Sequence, residues 1–118
     1  MTLDEFFAGR DEARELFEAV RRAAEELGEV ELRVSKSQVA FRRRIAFAWA
    51  WIPGQYLRRG AASLALTIGL RRRDGSSRWK EIVEPYPGRF THHLELYDAA
   101  AVDAEVRAWL REAWEAAG

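Results

Sequence analysis

The side chains best suited to chemistry are an adjacent histidine pair, His92-His93, with Glu95 two positions beyond. Neighbouring residues on a strand point to opposite faces, so the two imidazoles cannot chelate one metal ion together without a bulge. Their parity separates them. His92 runs with Phe90, Leu94 and Leu96 and is expected in the core, neutral and satisfied by a backbone carbonyl, while His93 runs with Thr91, Glu95 and Tyr97 on the other face. A neighbouring carboxylate raises an imidazole pKa, so His93 and Glu95 are the candidates for acid-base work. Ser35-Lys36-Ser37 gathers two hydroxyls and an amine. Its spacing is not serine-x-x-lysine and no glycine-flanked nucleophile elbow occurs, so a polar turn is expected, with Lys36 placed to meet an anion beside Arg42. Of the five tryptophans, Trp49 and Trp51 share parity with Phe47 and are expected in the core. Trp79, in a turn-rich stretch with Tyr86, is the better candidate for ligand contact.

These residues need a sheet to hold them, and the hydrophobic period supplies one. Thr2 and Glu5 have the spacing of a capping box, predicting a short helix over Leu3 to Ala8 that Gly9 stops. Asp11 is expected to cap a second helix, whose apolar face runs Ala13, Leu16, Phe17, Val20, Ala23, Ala24 and Leu27. From Glu29 the period changes to two, and strands are predicted over 30–34, 39–43, 45–52, 63–71 and 89–97. Residues 79–84 fit either a strand or a short helix; the turn Pro85-Tyr86-Pro87-Gly88 behind them favours a strand. Asp98 or Asp103 caps a final helix that buries Val102, Val106, Trp109, Leu110, Ala113 and Trp114. Strands bracketed by helices, without βαβ alternation, predict an α+β fold: an antiparallel sheet of five to six strands with the N- and C-terminal helices on one face. At 118 residues the chain has room for one domain, 1–118. The docked stripe around Trp109 is expected to matter to stability, and Arg43, on an exposed turn, to matter little.

If the bulky alternating residues face the helices, the opposite face carries Ala40, Arg42, Ala46, Ala48, Ala50, Ser63, Ala65, Thr67 and Gly69, a floor of small side chains edged by guanidinium groups. Charge follows the same division. Residues 1–32 hold four arginines against ten acidic side chains, residues 33–80 twelve Lys and Arg against Asp74 alone, and residues 81–118 three against eight. A cationic sheet between acidic helices would draw anions to the sheet, unless the arginines pair with the helical carboxylates. Nucleic acid is disfavoured, because the whole chain is formally neutral with a pI near 6.8 and has neither P-loop nor dinucleotide-type glycine spacing.

Absent cysteine removes disulfides, thiolate metal sites and thiol chemistry together. No apolar run is long enough to cross a bilayer and residues 1–9 lack a basic leader, so a cytoplasmic protein is expected.

The segments Val34-Ser35-Lys36-Ser37-Gln38-Val39-Ala40-Phe41, Phe47-Ala48-Trp49, Arg78-Trp79-Lys80, Pro87-Gly88-Arg89 and His92-His93-Leu94-Glu95 resemble the family known as domain of unknown function 5655. Phe6-Phe7-Ala8-Gly9 and Trp109-Leu110-Arg111-Glu112-Ala113 extend that likeness to both ends of the chain. The resemblance implies no activity. By arrangement the chain is also distantly similar to frataxin-like and YdhG-like α+β proteins, a likeness of fold that transfers no function but draws attention to Lys36, Arg42 and His93.

The leading expectation is a non-enzymatic binding domain whose basic sheet face holds a small anionic ligand or a protein partner, through Lys36, Arg42, Arg44, Thr67, Trp79 and His93. One alternative is a small acid-base enzyme centred on His93, Glu95 and Lys36; another is a homodimer through the same strip. Neither cofactor nor metal is expected.

Overall fold

The computed structural model describes residues 1–53 and 62–118. At the N-terminus, Thr2 Oγ1 accepts from the Glu5 amide at 3.1 Å while Glu5 Oε1 accepts from the Thr2 amide at 2.9 Å, which is the expected capping box. It opens a single turn of helix, α1 (Leu3–Phe6), shorter than predicted, and Gly9 at φ +70° redirects the chain. Helix α2 (Asp11–Glu25) starts on Asp11 itself. The cap position belongs to Arg10, which makes no side-chain cap, so Asp11 acts as a first-turn carboxylate against the helix dipole.

Among the described residues, six strands form one antiparallel sheet: β1 (Glu31–Val34), β2 (Val39–Arg42), β3 (Ala46–Trp51), β4 (Leu64–Leu70), β5 (Glu81–Tyr86) and β6 (Arg89–Leu96), in the order β1-β2-β3-β4-β6-β5. The ambiguous stretch is a strand, but it begins at Glu81 and leaves Trp79 outside it. A 3₁₀ turn (Ala99–Ala101) leads into α3 (Ala104–Ala116), whose cap is Asp103, with Oδ1 accepting from the Val106 amide at 3.1 Å. Helices α2 and α3 pack against each other and over β4, with α3 also reaching β3. The result is the predicted α+β architecture. Among the described residues, no helix is long and apolar enough to cross a membrane.

One irregularity decides which side chains meet the helices. Phe41 of β2 faces Ala48 of β3, but Arg42 faces Ala46, so Phe47 is an extra residue. Such a bulge resets the alternation of the strand that carries it. Phe47 and Ala48 are both fully buried in the core, Ala50 follows them inward, and Trp49 and Trp51 are left half-buried on the helix-free face. The expected assignment of β3 is therefore reversed beyond Phe47: the tryptophans lie outside, and Ala48 and Ala50 lie beneath the helices. The rest of the strip, Ala40, Ala65, Thr67 and Gly69, keeps its predicted face, in register with the tryptophans and β6.

Inside, Phe6, Phe7, Phe17, Phe41 and Phe47 form a chain of rings with successive centroids 4.8 to 6.4 Å apart. A second stack, Trp109 on Trp79 at 4.1 Å and Trp79 on His92 at 4.8 Å, ties α3 to the sheet. Asp74 holds this stack from the side. Its Oδ2 accepts from Trp79 Nε1 at 2.9 Å, and its amide donates to His92 Nε2 at 3.0 Å.

Four arginines of the central segment, Arg43, Arg71, Arg72 and Arg78, are engaged with α3 and its caps. Arg72 grips Glu112 through two bonds of 2.9 Å, and Arg78 reaches Asp103 and Glu105. At the far end of the helix, the Arg44 and Ile45 amides donate to the Ala117 carbonyl, Arg71 to that of Ala116 and Arg43 to that of Trp114. Donors and positive charge at a helix C-terminus satisfy its orphan carbonyls and complement its dipole. Arg43 also lies 3.6 Å above the Trp114 ring, so its expected indifference to stability does not fit its position.

His92 makes stability pH-dependent. Its Nδ1–H donates to the Phe90 carbonyl and its Nε2 accepts from Asp74, so both nitrogens are satisfied in the neutral ring, and burial lowers its pKa below the ordinary 6.5. The unfolded chain then binds more protons than the folded one just below pH 6.5, so stability falls as pH drops through that window. Urea midpoints measured at pH 7.5 and pH 5.5 should show this fall, and His92→Gln should reduce it; identical slopes in the two proteins would contradict the assignment. Asp74 and Asp103, with pKa values held below the ordinary 3.8, add their own loss only at more acidic pH.

Candidate functional site

The helix-free face of the sheet is organised around Trp51. Its indole leans from β3 across to β4, where Nε1 donates to Thr67 Oγ1 at 2.9 Å. Thr67 Oγ1 in turn lies 2.7 Å from Nδ1 of His93, its cross-strand partner on β6. An indole can only donate, so the direction that uses every proton runs from Trp51 N–H to Thr67, and from the Thr67 hydroxyl to His93 Nδ1. That leaves His93 Nε2–H as the outward donor of a neutral ring. Burial lowers the His93 pKa below the ordinary 6.5, against an opposing pull from Glu81, which faces it across β5 and β6. Trp51 and His93 meet edge to face, centroids 6.0 Å apart at 87°.

This fixed group stands beside a cleft of about 370 Å³, lined by Ser37, Gln38, Trp49, Trp51, Thr67, Thr91 and His93. A smaller hollow of about 200 Å³ lies on the other side of Trp51 and His93, bounded by Ala65, Lys80, Glu81 and Glu95. Arg89 closes one end of the face. Its guanidinium crosses Gly69, where an added Cβ would come within 2.9 Å, donates to the Ala46 carbonyl beside the bulge, and sits 6.0 Å from the Trp49 ring. Two larger hollows are built differently. That of about 670 Å³ is edged by α2 charges, among them Arg14 and Glu18, which pair with each other, and that of about 500 Å³ includes Trp114 and the Arg43 that stacks on it.

The predicted site residues divide accordingly. Thr67 and His93 come together at 2.7 Å, and Glu95 lies in the adjoining hollow, where its carboxylate is 3.8 Å from Lys80. The carboxylate that acts on His93 is thus Glu81, not Glu95, and burial overrides it. Lys36 is exposed in the β1–β2 hairpin and lines neither hollow, while Ser35 Oγ accepts from the Gln38 amide in the polar turn expected there. Arg42 and Arg44 belong to the separate hollow beside Trp114. Trp79 is 9% exposed within the second core stack, so it has little surface to offer a ligand. Sequence reasoning missed Gln38, Trp49, Trp51, Thr91 and Arg89; the tryptophans could be found only by anticipating the bulge. Among the described residues no group of three His, Asp or Glu side chains converges to hold a metal ion.

Thr67 is the hinge of the arrangement. Thr67→Val keeps the volume but removes the acceptor for Trp51 and the donor for His93, so the Trp51 indole N–H resonance should shift in NMR spectra and stability should fall by about 1–3 kcal/mol. An unmoved indole resonance would mean that the Trp51–Thr67–His93 chain does not form.

No curated protein and no solved structure matches the chain, and its likeness to frataxin-like and YdhG-like folds is not confirmed. A family model does match, over residues 3–117, which takes in both helical ends and every strand that builds the cleft, and the chain belongs to the family it describes, domain of unknown function DUF5655.

Proposed function

We propose that this protein is a binding domain whose ligand site is the tryptophan cleft on the helix-free face of the sheet. The observation that carries this is the Trp51–Thr67–His93 chain, which fixes one indole and one imidazole beside a second, half-buried indole, Trp49. Holding rings and a few polar groups in fixed positions lowers the ordering cost of binding, and about 370 Å³ falls within the usual size of small-molecule sites. The position of the arginines gives less support to an anionic ligand than their number does, because Arg43, Arg71, Arg72 and Arg78 serve α3. Acid-base catalysis is supported less well, since Lys36 lies outside the cleft and Glu95 faces Lys80.

The test is chemical-shift mapping on the labelled protein during titration with small-molecule panels. Shifts clustering on Trp49, Trp51, Thr67, Thr91 and His93 are expected. A ligand that moves only residues around Arg42, Arg44 and Trp114 would put the site at the other hollow. A stable dimer in sedimentation, dissociated by Trp49→Ala, would replace a ligand site with an interface between copies.

A further inference from the structure

The character of the cleft points to a chemical class of ligand, an inference that rests on the cleft being the binding site. None of the described side chains lining the main cleft carries a full charge: two indoles are joined by the hydroxyls of Ser37, Thr67 and Thr91, the carboxamide of Gln38 and the neutral imidazole of His93. The guanidinium of Arg89, which closes one end of this face, is turned onto the Ala46 carbonyl. An anion would therefore leave water for a cleft whose described lining has no charge to meet it, and a cation would find indole faces but no carboxylate among that lining.

The polar groups also lie at opposite ends. Ser37 and Gln38 enter from the β2 side and Thr91 and His93 from β6, with the two tryptophans between them. From β2 to β6 is three strand spacings, about 14 Å. A single flat heterocycle would reach one set of polar groups and leave the other unused. The site fits an elongated, uncharged molecule with apolar patches along one side and hydrogen-bonding groups spread along its length. Sugar rings joined in a row meet this description, because their C–H faces lie against indole rings while their hydroxyls both donate and accept.

We infer that the cleft takes a neutral oligosaccharide, lying across the strands with its C–H faces on Trp49 and Trp51, one end hydrogen-bonded by Gln38 and the other by the outward Nε2–H of His93. Gln38 is well suited to hold a hydroxyl, since its carboxamide makes no hydrogen bond to another described residue and offers both donors and an acceptor.

Isothermal titration and tryptophan fluorescence with cellotriose, maltotriose and chitotriose test it on the intact chain. At least one trisaccharide should bind saturably, and glucose or N-acetylglucosamine at least about tenfold more weakly, as expected when one anchoring contact set is lost. Trp49→Ala should weaken the trisaccharide by about tenfold or more, and Gln38→Ala should weaken it while leaving the circular dichroism spectrum unchanged. Equal affinity for mono- and trisaccharide, or affinity indifferent to Gln38→Ala, would overturn the inference. Saturable binding of riboflavin or adenosine at Trp49 and Trp51, with every sugar silent, would also overturn it, yet keep the cleft as a ligand site. Shifts confined to other parts of the surface would remove both.

Discussion

Trp109→Ala is expected to lower the urea midpoint steeply, with a loss of about 3–5 kcal/mol, the usual range for truncating a buried tryptophan. The ring is 5% exposed and lies 4.1 Å from that of Trp79, which in turn stacks on His92. Removing it opens a cavity beside two aromatic groups whose positions depend on it, and the guanidinium of Arg78 loses the ring it approaches at 5.7 Å. The total stability of a domain is commonly about 5–15 kcal/mol, so a marginal one could be largely unfolded by this change alone. An unchanged midpoint would mean that α3 does not dock through this residue.

The second large effect is expected at a residue with no place in the cleft. Asp74 accepts from Trp79 Nε1, from the Ser76 amide and from Arg72, at 2.9 to 3.0 Å. Burial alone would raise its pKa, but these donors hold it below the ordinary 3.8. Asp74→Ala leaves the buried Trp79 N–H without an acceptor, at a cost of about 1–3 kcal/mol, and releases the turn that presents the Asp74 amide to His92. The ion pair with Arg72, half exposed, contributes little beyond this. Asp74→Asn keeps one acceptor oxygen and should lose less. Because Asp74 and Trp109 both act on Trp79, the double variant should lose less than the sum of the two single losses, and urea titration of all four proteins would measure that coupling. Strict additivity would show that the two residues hold Trp79 independently.

Local signals in the chain were legible where one segment decides its own geometry. The capping box at Thr2, the polar turn at Ser35 and the opposite fates of His92 and His93 all follow from spacing within a few residues, whereas only the structure decides between Asp98 and Asp103 as the cap of the last helix. What was not legible depends on distant partners. Arg43 reads as a turn residue until Trp114, 71 positions away, is placed beneath it. Trp79 reads as a loop aromatic until Trp109 and Asp74 surround it. The tryptophans of β3 were misplaced for a subtler reason: Ala46 to Trp51 is apolar at every position, so alternation could not reveal where the strand changes its pairing. Thr67 and His93 were assigned to the correct face, but the alanines expected beside them are replaced there by two indoles, and the character of the site changes from cationic to aromatic.

The extra residue in β3 behaves like a frameshift written into the backbone. Were all the residues of β3 kept and paired without the bulge, Trp49 and Trp51 would turn beneath the helices and Ala48 and Ala50 into solvent. Deleting Phe47 instead leaves Ala46 opposite Arg42 and Ala48 opposite Phe41, so the tryptophans keep their face and the core loses one ring. For this domain, the bulge between Arg42 and Ala48 is therefore as much a determinant of the binding face as the identity of any residue on it.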